Sequence, residues 1–170
     1  MTRISLLLKP LTLLLLLPVG AHADDYGRGM DAYFEGKYKT AAQHLKPAAE
    51  AGNALAQYQL GVMYDAGQGV HRNPLAALAW YRIATESDPR AQVAMAERLM
   101  VGRGIAHDPS AAISWYRKAA AQADLTALLR LAIAYRDGQG VPKDVVLAHV
   151  FASKQIGKLD TNDRRKLSLG

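Results

Sequence analysis

The chain has 170 residues, half of them hydrophobic and 21% charged, with a net charge of +6 and no cysteine. That length carries one domain with a real core, and the lack of cysteine excludes both a disulfide framework and a lipid-modified amino-terminal cysteine. The basic charge gathers at the ends, on Arg3 and Lys9 and on Lys158, Arg164, Arg165 and Lys166, so no basic stripe of the kind nucleic acid requires crosses the middle.

Residues 1–23 read as a cleavable signal peptide. Arg3 and Lys9 supply a positive start, Leu11 to Leu17 a short apolar run, Pro18 and Gly20 break the helix, and Ala21-His22-Ala23 offers a small-x-small cleavage site. A membrane anchor needs about 20 apolar residues, and Lys9 and Pro10 interrupt this run too early. Arg130 and Arg136 interrupt the best later candidate for a span. The product expected is a soluble periplasmic or secreted protein beginning at Asp24, with no transmembrane segment after cleavage.

Residues 24–52 predict a degenerate helical hairpin. Tyr33 and Phe34 sit on its first helix, Gly36 and Lys37 turn, and Ala41, Leu45 and Ala48 or Ala49 mark the second at spacings of three and four. Pro47 should kink or end that helix. An atypical first unit is the expected cap of a stack.

Three full units follow over 53–87, 88–122 and 123–157. Gly67 and Gly69 recur as Gly102 and Gly104, then as Gly138 and Gly140, a step of 35 and then 36 residues. A fixed period of that size means stacked supersecondary units. Each unit predicts two helices. Asn53, Asp88 and Asp124 cap the first helices; Asn73, Asp108 and Asp144 cap the second, with Pro74, Pro89 and Pro109 as starting residues. The paired glycines stop each first helix and turn the chain through positive φ. The extra residue falls around Gln122 to Asp124, in the loop between units three and four.

Apolar stripes complete the pattern. The first helices show Ala56, Leu60, Gly61 and Tyr64; Ala91, Met95, Ala96 and Leu99; Ala127, Leu131, Ala132 and Tyr135. The second show Ala77, Trp80, Tyr81 and Ala84; Ala112, Trp115, Tyr116 and Ala119; Ala148, Phe151 and Ala152. Small residues at matching sites let helices approach to roughly 8–10 Å, and Trp80, Trp115 and Phe151 fill the hollows between. Truncating a buried tryptophan there should cost about 3–5 kcal/mol. The fold expected is an all-α α-solenoid of antiparallel helix hairpins, ending at 158–170 in a basic tail or the start of a capping helix.

The succession Ala56, Leu60, Gly61, Gly67, Gly69, Val70, Asn73, Ala77 and Trp80, with its two later copies, resembles the Sel1-like repeat family of the tetratricopeptide class. The last copy departs in Val145, where the others carry proline, and in Ala152, where they carry Tyr81 and Tyr116. The resemblance implies a right-handed superhelix whose concave face serves as a scaffold or adaptor, in an exported bacterial protein.

Catalytic and metal chemistry find little purchase. His44, His71, His107 and His149 are never closely spaced on one helix as zinc ligands are, and Asp88, Asp108, Asp124 and Asp144 are engaged as caps. No serine lies in a nucleophile motif, and the Gly-x-Gly turns join helix to helix without the lysine of a phosphate loop. No catalytic residue, metal ligand or cofactor is therefore expected. In such a stack the first helices line the inner surface, where their non-repeating side chains select a partner. Tyr58, Gln59, Val62, Met63, Glu97, Arg98, Arg130 and Ile133 combine apolar anchors with directional charge there. The expected function is a non-enzymatic adaptor for a protein or peptide partner; a cell-wall-binding module of the envelope is the alternative, and a hydrolase ranks last.

Overall fold

The computed structural model describes residues 19–154 and 157. Most of the predicted signal peptide, residues 1–18, and the basic tail, 158–170, lie outside the described residues. Eight helices run through what is described: α1 (Val19–Phe34), α2 (Tyr38–Glu50), α3 (Ala54–Ala66), α4 (Pro74–Ala84), α5 (Pro89–Val101), α6 (Pro109–Ala121), α7 (Leu125–Asp137) and α8 (145–154). They form an all-α helical-repeat solenoid. Partners within a hairpin pack side by side, and α2, α4 and α6 each pack on the first helix of the next hairpin. Among the described residues no helix is long and apolar enough to cross a membrane.

The caps act as the sequence predicts. The amide of Ala56 donates to Asn53 Oδ1 at 3.0 Å, those of Leu75 and Ala76 to Asn73 Oδ1 at 3.1 Å, and that of Arg90 to Asp88 Oδ1 at 2.8 Å. Asp108, Asp124 and Asp144 accept from Ala111, Ala127 and Leu147 at 2.8 to 2.9 Å. Each such bond satisfies an amide that a helix start leaves without an intrahelical acceptor.

Two expected breaks do not occur. The break expected at Pro18 lies outside the described residues; Gly20 does not end the helix, since α1, described from Val19, contains it, and a single glycine costs only about 1 kcal/mol. Helix α2 runs through Pro47 to Glu50. The hydrogen bond that proline removes there falls in the last turn, where little helix remains to bend.

The Gly-x-Gly turns do more than reverse the chain. Gly67, Gly102 and Gly138 are left-handed C-caps with φ of 71°, 70° and 76°. The second glycine of each turn rests on the preceding unit. A Cβ on Gly69 would stand 2.2 Å from the carbonyl oxygen of Tyr38, and one on Gly140 2.4 Å from that of Pro109. Gly104 makes the looser version, 3.7 Å from the Pro74 oxygen. Tyr38, Pro74 and Pro109 open α2, α4 and α6, so every turn is seated over the start of the previous hairpin's second helix. The longer second step is absorbed at Ala123, a non-glycine residue with φ of 71°.

The core is a chain of three clusters, one around α1, α2 and α3, one around α4 and the start of α5, and one from α5 to α8. Small residues set the spacing: a Cβ on Gly61 would meet the Tyr81 ring at 2.6 Å. The large residue that disappears into the core is the tyrosine. Tyr81 and Tyr116 are each 3% exposed, whereas Trp80 and Trp115 are half-buried. Trp80 lies against the first cluster and Trp115 against the other two. A ring laid over a junction keeps one edge in water, which lowers the expected cost of truncation below the range for a fully buried aromatic. In the last unit, where Ala152 replaces the tyrosine, Phe151 stacks on Tyr135 with centroids 5.6 Å apart.

Candidate recognition groove

A groove of about 860 Å³ opens along the first helices. Tyr58 of α3, Glu97 and Arg98 of α5, and Arg130 and Ile133 of α7 line it. Tyr81 and Tyr116 reach it from α4 and α6, and the turns close one end with Arg103, His107 and Gln139. Helices α5 and α7 present matching repeat positions to one surface, Ala94 with Arg130, Glu97 with Ile133 and Arg98 with Ala134, while α3 contributes Tyr58 and Asp65.

Two ion pairs bind neighbouring units beneath that surface. Arg130 donates to Glu97 Oε1 from Nη2 at 2.7 Å and from Nε at 3.2 Å, each side chain 45% exposed. At that exposure the pair adds little stability but fixes where the charges sit. Arg98 is 5% exposed and pairs with Asp65 of the unit before. The Arg98 guanidinium lies 4.3 Å from the centroid of the Tyr81 ring, and the Tyr81 hydroxyl donates to Asp65 Oδ2 at 3.3 Å. Asp65 Oδ1 and Arg98 Nε are buried and have no hydrogen-bond partner. Nη2 of Arg103 approaches that Oδ1 only to 3.9 Å.

Tyr58 forms one wall. Its ring centroid is 5.7 Å from that of Tyr81, and the Arg90 guanidinium lies over it at 4.5 Å. Asp88 holds that guanidinium through bonds of 3.1 and 2.7 Å. Burial raises the pKa of Tyr58, with Arg90 opposing. Burial also drives the tyrosines of the floor upward. Tyr81 rises far above its usual value, helped by the Asp65 charge, and Tyr116 is pushed up to about 12, helped by Glu97 and opposed by Arg130.

Of the eight residues the sequence nominated, Tyr58, Glu97, Arg98, Arg130 and Ile133 line the groove. Arg98 does so with its charge already spent on Asp65. Gln59, Val62 and Met63 are not among the lining residues. Val62 is half-buried against the cluster of Ala77 and Tyr81, Gln59 is buried, and Met63 is fully enclosed in the core shared by α1, α2 and α3. The position of Gln59 opens in later units, where Arg130 is exposed, whereas the position of Met63 is closed in every unit, Arg98 and Ala134 being buried as well.

The sequence reading missed Asp65, Tyr81, Tyr116 and Arg103 as parts of the groove. One signal was available. Arg98 falls where the repeat puts Met63 one unit earlier, and a charge at a core position demands a buried partner.

Comparison with known proteins identifies this architecture. A family model described as Sel1 repeat matches four times in succession, at 25–53, 54–88, 89–124 and 125–154. Among solved structures, a protective antigen of uropathogenic Escherichia coli strains that displays an SLR fold is 29% identical with a TM-score of 0.75, covering 81% of this chain and 30% of that one. A Sel1 repeat protein from Oxalobacter formigenes is 31% identical with a TM-score of 0.73, covering 79% of this chain and 54% of that one. The chain thus spans about a third and about half of the two proteins it resembles. With its helix pairs, its seated glycine turns and four matched units, the chain belongs to the Sel1 repeat family.

Proposed function

We propose that this chain is an exported, non-enzymatic scaffold that holds a protein or peptide partner in the groove along α3, α5 and α7. Sel1 repeats generally mediate contacts between proteins. The observation that carries the reading is the contrast between frame and lining. Caps, glycines and small residues recur from unit to unit, while the groove lining changes from Glu97 to Ile133 at one repeat position and from Ala94 to Arg130 at another. Positions that vary on a constant frame are where a repeat protein expresses selectivity. The acidic groups of the groove, Asp65 and Glu97, are both engaged by arginines, which suits fixed complementarity better than proton transfer.

Crosslinking in the native envelope tests this. The parent chain should capture a discrete protein, and Val101→Glu with Arg130→Glu should abolish capture while leaving the melting temperature unchanged. Equal capture by parent and variant removes the groove from the reading. Co-sedimentation of the purified chain with isolated cell wall moves the partner from protein to polymer. Export rests on residues 1–23; an amino-terminal sequence other than one starting at Asp24, or a cytoplasmic fraction, contradicts it.

A further inference from the structure

The charges of the groove cancel in pairs, with one exception. Glu97 answers Arg130 and Asp65 answers Arg98. Among the described residues the acid within 4 Å of Arg103 is Asp65, whose Oδ1 lies 3.9 Å away, beyond hydrogen-bonding reach, and whose Oδ2 is already engaged by Arg98. One acid therefore faces two guanidinia, leaving a local surplus of one positive charge on a side chain that is 46% exposed. Val101, 71% exposed, and the half-buried Met100 and Ile133 line the same groove and give it an apolar shelf. Arg98, nineteen-twentieths buried, also keeps an Nε–H without an acceptor behind this end of the groove.

We propose that the groove selects an apolar peptide segment that carries a carboxylate, Arg103 binding the carboxylate while the apolar side chains lie on Val101, Met100 and Ile133. This rests on the groove being a peptide-binding surface and adds to it a rule of charge. A planar guanidinium with free donors matches a carboxylate in a fork geometry that an amide cannot reproduce. The carboxylate comes either from an acidic side chain or from the end of a chain; the recognition chemistry is the same.

Fluorescence anisotropy with labelled nonapeptide mixtures separates the outcomes. The mixtures are apolar and degenerate except at a central glutamate, glutamine or lysine, with both ends blocked; a fourth has the glutamine centre and a free terminal carboxylate. The glutamate mixture should bind about fivefold more tightly than the glutamine one at low salt, the scale of a half-exposed ion pair. Arg103→Gln should erase that difference, and Arg103→Glu should turn preference toward lysine. The contact of Arg103 with Asp65 is long, so both variants should melt with the parent. Stronger binding of the fourth mixture than of the blocked glutamine one also supports the rule and assigns the carboxylate to a chain end. Equal binding of all mixtures, weakened by Val101→Glu, overturns the charge rule and leaves the groove standing. Binding of none of them overturns both.

Discussion

Tyr116 and the Arg98–Asp65 pair show how single side chains tie the groove to stability. The hydroxyl of Tyr116 titrates at about 12 in the folded chain against 10.0 when free, chiefly because burial disfavours the phenolate. Between those two values the folded state holds a proton that the unfolded state has lost. Stability is therefore intact below pH 10 and falls through the window up to about 12, by at most about 1.4 kcal/mol per pH unit for each such tyrosine. Urea unfolding from pH 9 to 12 should show the decline, and Tyr116→Phe should flatten it. The pair makes a sharper prediction. Arg98→Ala strands Asp65 beneath the groove and should cost about 3–5 kcal/mol, whereas Asp65→Met with Arg98→Met replaces both charges by apolar bulk and should restore most of that loss. The substitution follows the repeat, since Met63 and Met100 occupy those two positions in adjoining units. A double variant as unstable as Arg98→Ala contradicts this account.

The turns behave as joints between helices, and their three copies are not equally tight. All three second glycines have φ near 70°, so alanine at any of them carries the left-handed penalty of roughly 1–2 kcal/mol. Gly69→Ala and Gly140→Ala also drive a methyl into a backbone carbonyl, while Gly104→Ala meets only ordinary contacts. Thermal melts should therefore rank Gly104→Ala as the mildest by at least about 1 kcal/mol. Helix starts, turns and the repeat were legible in the sequence because each is local: Asn53 and Asp124 cap within three residues, and Gly67 ends its own helix. The seating of Gly69 on Tyr38 was not legible, nor was the bond of Arg98 to Asp65 across 33 positions, because both depend on how one unit lies on the next. The same blindness placed Met63 on the surface and the tryptophans in the core. Side chains that bridge units also escaped notice. Gln57 donates to the Ala49 carbonyl at 3.0 Å and Gln92 to that of Thr85 at 2.8 Å, each tethering a first helix to the end of the hairpin before it.

Taken whole, the molecule is a file of neighbours in which each unit touches only the next, so its cooperativity depends on a few junction residues. Trp115 lies against both the middle and the last cluster. Trp115→Ala should uncouple them, and hydrogen exchange should show α6 to α8 losing protection before α1 to α3; uniform loss along the chain contradicts the linear picture. The seating of each glycine turn on its predecessor has a further consequence for descent. Because successive boundaries present the same parts, unequal crossing-over between adjacent copies inserts or deletes one whole cassette and leaves sound boundaries on either side. The length of surface offered to a partner is thus inherited in fixed increments, and a lineage resizes it without redesigning a single interface.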